Sequence, residues 1–362
     1  MISRRRLLAA AGAAGIGGLT AMAEAEAAPE FNRHEIPYTP VDKIPDHRPL
    51  MRAIVATLAA YAKKRNPRFL VLGRNAPGLL IKEYREWDLE TSRDTEGAAA
   101  GKYSPVGTLN HPYLGAIDGI LFDGLFYGGD AYGSETPGRK AAVPLEAAAR
   151  LIANGRRALS VEYCDSREAV ARADAEAAKA RVLAYIDRDG NNRLDHLPGD
   201  RPREENAEPV HDLAQVRDYL PMLSSGSFAS RSAWVMALRE TNYDLLILDP
   251  FWRGSEPLGR DDVRALKFKK MGTDRLVMAY MPMGRARDGT FYWRPDWTIG
   301  KPGFLVATDP AEPAQIIVRY WDPGWEEILG RYIQGIVDLG FDGVLFDQLD
   351  SYLYFEKLTP LR

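Results

Sequence analysis

Six carboxylates in this chain stand where short apolar runs end. Gly343 to Phe346 leads into Asp347 and then Asp350. Ala116 to Phe122 ends at Asp123, Leu159 to Tyr163 carries Glu162, Val182 to Ile186 ends at Asp187, and Leu245 to Leu248 ends at Asp249. A carboxylate at the exit of a buried strand is costly unless it is solvated or paired there. Like charges gathered on one rim repel, so a fold without a use for them avoids the arrangement. Paired carboxyl groups flanking a bond are the apparatus for splitting a glycosidic linkage. One, with a raised pKa, protonates the leaving oxygen; the other serves as nucleophile or as base on water.

Other chemistries find less support. The five histidines (34, 47, 111, 196 and 211) show no metal-ligand spacing. No serine elbow, P-loop or dinucleotide fingerprint occurs, so no cofactor is expected. Asp187 to Asp195 resembles a calcium loop, but its glycine falls at the fourth position and no Glu stands at the twelfth, so a polar turn is expected. The single cysteine, Cys164, excludes an intrachain disulfide and reads as a buried, inert thiol. A formal net charge of −3 gives a nucleic-acid role no support.

The elements that must position these acids alternate. Strands are expected near residues 70, 118, 160, 184, 235, 246, 278 and 344, with the fifth over Ala233 to Leu238. Helices are expected over Leu50 to Lys64, from Pro144 through Ala153, and over Arg167 to Ala180, Asp261 to Lys269 and Trp325 to Leu339. Residues 82 to 110 read as a long rim loop. Repeated β–α alternation predicts a parallel sheet, and eight units predict a single-domain (β/α)8 TIM barrel with its active site at the strands' exit face. Too little chain follows the last strand for a full covering helix. The Leu50 to Lys64 helix stands ready to take that place, with the chain ends meeting at a seam.

The N-terminus reads as a leader. Ser3-Arg4-Arg5-Arg6-Leu7-Leu8 carries a twin arginine, an Ala/Gly/Leu run follows, and Ala23-Glu24-Ala25 and Ala25-Glu26-Ala27 are candidate cleavage sites. This resembles a bacterial Tat signal over residues 1–28, followed by a surface extension over 29–48 and the barrel over 49–362. The expected partners are the Tat export machinery and a polysaccharide substrate. The expected location is periplasmic or secreted, with no stable membrane insertion after cleavage; an uncleaved anchor is the alternative.

Several segments resemble one family, the family 114 glycoside hydrolase-like TIM barrels related to endo-α-1,4-polygalactosaminidases. They include Tyr243 to Asp249, Ala279 to Gly284, Phe291-Tyr292-Trp293, Arg319 to Trp325 and Phe341 to Tyr352. In the first half, Asn66-Pro67-Arg68-Phe69 with Asn75, Ala116 to Ile120 with Leu125 to Gly128, and Glu162-Tyr163-Cys164 are similar too. The resemblance implies a barrel and an exported, endo-acting hydrolase of a polysaccharide, with a galactosamine-containing polymer as one candidate. The order of the matching pieces is exchanged, so the chain looks circularly permuted relative to that family. The family's Gly-x-x-Glu-Asp reads Gly284-Arg285-Ala286-Arg287-Asp288 here, with Arg287 at the Glu position.

Asp249 and Asp347 are the expected catalytic pair, with Asp350, Asp123 and Glu162 as helpers. Tyr280, Trp252, Trp293, Asn75 and Asp288 are the expected substrate-binding residues. Blander readings stand beside these: loop packing for the two tryptophans, a helix N-cap for Asp350 and a buried structural role for Glu162. Two further readings are a glycan- or cell-wall-binding barrel that has lost activity with the family Glu, and a metal-dependent hydrolase, which lacks the usual histidines.

Overall fold

The computed structural model describes residues 36–94, 102–190 and 193–361. The twin-arginine segment, its candidate cleavage sites, the start of the 29–48 extension, and Asn191 and Asn192 of the calcium-like stretch lie outside the described residues.

Short runs rich in Val, Leu, Ile and Phe form eight strands: β1 (Leu70–Arg74), β2 (Gly119–Asp123), β3 (Arg157–Tyr163), β4 (Leu183–Asp187), β5 (Tyr219–Met222), β6 (Leu245–Leu248), β7 (Leu276–Pro282) and β8 (Gly343–Asp347). All pair in parallel, each beside its neighbours in sequence. The last strand pairs with the first, Leu70 opposite Gly343 through Gly73 opposite Phe346. No ladder joins β4 to β5. The result is a nearly closed α/β barrel of the TIM type, with helices outside and an apolar core within.

The fifth strand departs from expectation. Ala233 to Leu238 lies inside a helix, Arg231–Arg239, which buries Trp234, Val235 and Leu238 on one face. The Ser230 hydroxyl caps that helix by accepting from the Ala233 amide. The true β5 contains Pro221, which has no amide to donate to a ladder. It accordingly sits at the end of the hydrogen-bonded series, tied across the barrel where the Tyr219 hydroxyl donates to the Ser160 carbonyl at 2.6 Å.

Smaller differences follow the same logic. The expected rim loop contains the helices Tyr84–Ser92 and, just beyond it, His111–Ala116, the latter capped by Asn110. That second helix takes up Ala116, so β2 starts at Gly119. Pro144 does not open its helix but sits inside one running Gly138–Ala153.

The helix His47–Arg65 packs against the helix Pro323–Leu339 that precedes β8 and the short Tyr352–Leu358 helix that follows it. Arg48 donates to Glu356 at 2.8 and 3.0 Å, and the Tyr320 hydroxyl donates to the His47 carbonyl. Burial among Trp321 and Phe355 lowers the His47 pKa to about 4, so it packs as a neutral ring. The helix before β1 thus shares the outer layer at the β8–β1 seam with the helices on either side of β8, the place expected for it from the helix count. The β7–β8 connection adds a three-stranded antiparallel sheet of Arg285–Ala286, Ile316–Val318 and Leu305–Thr308, which walls the exit face of the barrel.

Candidate active site

Arg74 ends β1, between β2 and β8. Its guanidinium spans both neighbours, donating Nη1 to Asp347 Oδ2 at 2.9 Å and Nη2 to Asp123 Oδ1 at 3.0 Å. Burial alone would disfavour its charge, but Asp123 and then Asp347 hold its pKa well above the ordinary value. Asn75, in the left-handed region at φ 54°, donates Nδ2 to Asp123 Oδ2 at 2.8 Å and accepts from the Asp123 amide at 2.9 Å. Asparagine tolerates that backbone better than most residues. The Tyr163 hydroxyl completes the shell of Asp123 at 2.8 Å.

Asp347 is held from three sides. Besides Arg74, the Tyr280 hydroxyl of β7 donates to Oδ2 at 2.8 Å, and the Gln348 amide donates to Oδ1 at 2.6 Å. Gln348 adopts φ 60°, a conformation strained for a residue of its size and common at working sites. Burial, then the charge of Asp347, pushes the Tyr280 pKa well above its ordinary value, so its hydroxyl remains a donor.

Asp249 stands one residue beyond β6 in a different environment. Its carboxylate accepts one hydrogen bond among the described residues, from the Phe251 amide at 2.9 Å. Burial raises its pKa to about 7; the Phe251 amide and the nearby Arg287 charge oppose that rise. Asp350, in a short turn after β8, is also pushed upward, mainly by burial and against Arg285.

Asp123, Asp249, Asp347 and Asp350 all line one cavity of about 410 Å³ at the strands' exit face, with Asn75 and Tyr280. Acids from distant parts of the chain therefore converge at one mouth. A second cavity of about 330 Å³ shares Asn75, Asp123 and Asp350 with the first and extends the cleft across the rim.

Other expected residues are placed elsewhere. Glu162 is 0% exposed and absent from the cavity lining. Side chains alternate along a strand, so Glu162 faces away from Tyr163, which reaches Asp123. Its Oε2 accepts from the Phe126 and Tyr127 amides at 2.9 and 2.8 Å, pinning the loop after β2, and burial raises its pKa. Asp187 is buried at the end of β4, also outside the lining, and burial pushes its pKa up to about 6. Trp252 lies under the Arg253 guanidinium, Trp293 packs edge-on against Trp297, and Asp288 is exposed; none lines the cavity.

The aromatic wall is instead Phe251, Phe291, Tyr292 and Tyr332. Phe291 is 46% exposed and stacks on Phe251, 5.4 Å between centroids and 9° from parallel. Arg74 and Tyr163 hold the acids of the site without being strand-exit acids themselves. The signal for Arg74 was present, since it closes the first apolar run as the aspartates close theirs. Among the described residues no cluster of three or more His, Cys, Asp or Glu side chains is arranged to hold a metal ion.

No protein-family model matches the chain. Over 116 residues it is 34% identical to an uncharacterized protein of Deinococcus radiodurans, covering 32% of this chain and 36% of that protein. Over 152 residues it is 28% identical to an uncharacterized protein of Methanocaldococcus jannaschii, covering 42% and 43% of the two chains. A third relative, an uncharacterized protein of Thermotoga maritima, is 28% identical over 150 residues, or 37% of this chain and 46% of that one. The chain thus matches less than half the length of each of these relatives.

Proposed function

We propose that this barrel is a glycoside hydrolase that cleaves a polysaccharide, with Asp249 as proton donor and Asp347 as nucleophile or base. The observation that carries the reading is a contrast within one cavity. Asp249 has a single backbone donor and a pKa near 7, whereas Asp347 carries a guanidinium, a phenol and an amide. A carboxyl group held toward its protonated form, sharing a cavity with a second one oriented by a cation and two further donors, is what acid-assisted glycosidic cleavage needs. Asp249 gives its proton to the leaving oxygen. Asp347, oriented by Arg74 and Tyr280, attacks the anomeric carbon or takes a proton from the attacking water. Phe291, on its stacked partner, offers an apolar face for a sugar ring, and the adjoining cavity gives room for further units of a polymer.

Export through the twin-arginine leader to the periplasm or beyond belongs to the same proposal, as do kinship with family 114 and a circularly permuted chain order. The test is release of reducing ends by purified protein from a panel including galactosaminoglycan, with Asp249→Asn and Asp347→Asn as controls. No release from any polymer rejects the reading, as does release that survives both substitutions.

A second reading has one observation of its own: Arg287 lines the cavity at the position where the resembling family carries Glu. A binding barrel would retain glycan without turnover, and Asp347→Asn would leave that retention unchanged.

A further inference from the structure

The cavity's three guanidiniums are not equally occupied. Arg74 is shared between Asp123 and Asp347. Arg285 is paired with Asp309 and donates to the Ser351 hydroxyl at 2.8 Å, with Asp350 at 3.9 Å. Arg287 lines the same cavity, yet among the described residues its guanidinium makes no ion pair and no hydrogen bond. Its backbone is fixed: the amide meets the Tyr292 hydroxyl at 3.4 Å and the carbonyl accepts from the Thr290 hydroxyl at 2.8 Å. The guanidinium lies over Gly254, another lining residue, at φ +71°. A Cβ at that glycine would overlap the guanidinium, so the missing side chain makes the slot that Arg287 occupies. The facing acid is Asp249, whose proposed role requires it to be protonated and neutral when substrate is bound. In that state the Arg287 charge is left without a counterion at the cavity wall.

We propose that Arg287 recognises a carboxylate on the sugar unit bound beside the scissile linkage, so that the polymer carries uronic acid units. An unpaired guanidinium offers parallel N–H donors that match a carboxylate bidentately. Of the other acids of the lining, Asp123 and Asp347 are held by Arg74, Asp309 and Asp350 lie with Arg285, and Glu312 accepts from the Gln315 side chain. This rests on the hydrolase reading for the position of the linkage, but charge recognition is tested separately from turnover.

The experiment is titration calorimetry of the full chain with three probes: a galacturonate oligomer, its fully methyl-esterified form and a galactosamine oligomer. The expected result is tighter binding of the acid than of the ester. Arg287→Gln should reduce that preference by roughly 10-fold or more, since charge-assisted hydrogen bonds are about twice as strong as neutral ones. Arg287→Lys should restore part of it. Gly254→Ala, which leaves the arginine in place but fills its slot, should lower the preference as well. Equal affinity for acid and ester, or an unchanged preference in Arg287→Gln, overturns the proposal, as does failure of the wild type to bind any probe. Arg287-dependent binding without cleavage of any polymer sinks the hydrolase reading alone. Cleavage of a neutral or amine-bearing polymer with no dependence on Arg287 sinks this inference alone.

Discussion

The Tyr280 hydroxyl and Arg74 Nη1 hold the same oxygen of Asp347, at 2.8 and 2.9 Å. They come from β7 and β1, the two strands that flank β8, so the carboxylate is gripped from both sides of its own strand. Tyr280→Phe keeps the ring and the Arg74 contact and removes one donor. On the polymer that the wild type cleaves, kcat should fall roughly 10²-fold, the usual effect of losing one preorganised donor at a charged centre. Asp347→Asn should cost about 10³-fold or more. Circular dichroism melts should show Tyr280→Phe destabilised by only about 1 kcal/mol, the worth of one hydrogen bond. Wild-type kcat in Tyr280→Phe would remove the phenol from the mechanism.

The pKa of Asp249, raised to about 7 from 3.8, has two consequences of defined sign. As proton donor it must be protonated, so kcat/KM should fall as pH rises through about 7. Removing the Arg287 charge removes an influence that holds this pKa down, so Arg287→Gln should move the alkaline limb upward. For stability, between pH 3.8 and about 7 the folded protein holds a proton that the unfolded chain has released. The contribution of this group therefore declines as pH rises across that window and is level above it. Asp249→Asn removes the ionisation, so its melting temperature relative to wild type should be higher at pH 8 than at pH 4. An unchanged difference would show that Asp249 titrates normally.

Most of the strand-exit acids were legible because an apolar run that short reads as a buried strand and an aspartate marks its end, although the equally short run Ala233 to Leu238 is helical. Their direction was not. β3 is buried on both faces, so the alternation Leu159, Ser160, Val161, Glu162, Tyr163 sorts its side chains into two sets without marking a solvent side, and it does not tell whether Glu162 or Tyr163 faces the site. β5 was hidden because Pro221 argues against a strand everywhere but at the end of a ladder. Trp252 and Trp293 lie outside the long periodic elements, where no rule connects a residue's type to the direction of its side chain.

Arg74 should be as important to folding as to the site. Its side chain is largely buried, and replacing it with Met leaves Asp123 and Asp347 facing each other without a cation. Breaking a buried pair from one side costs about 3–5 kcal/mol, and here one residue serves two acids. Arg74→Met should therefore lose most of its stability at neutral pH in denaturant titrations. Arg74→Lys keeps the charge but cannot span both neighbours and should fall between. A double variant, Arg74→Met with Asp123→Asn, removes one stranded charge and should be more stable than Arg74→Met alone. If it is less stable, the two acids are not competing for one cation.

Barrel closure can be tested at Gly343, which opens β8 opposite Leu70 of β1. A Cβ there would lie 2.5 Å from the Leu70 carbonyl oxygen and 2.8 Å from its Cβ, with Met278 of β7 close behind. The obstacle is backbone on one side, so it cannot rotate away as a flexible side chain would. Gly343→Ala must push β1 and β8 apart at the seam covered by the His47–Arg65 helix and the helices flanking β8, at a cost of about 1–3 kcal/mol for overpacking. Gly330, on the helix before β8, has open space where a Cβ would go. Gly330→Ala should be neutral or stabilising by about 0.5–1 kcal/mol, because alanine is the better helix former. Hydrogen exchange adds a spatial readout: Gly343→Ala should raise exchange at the Leu70 to Gly73 amides before those of β5 and β6. Equal stability of the two alanine variants would mean that β1 and β8 do not close the ring.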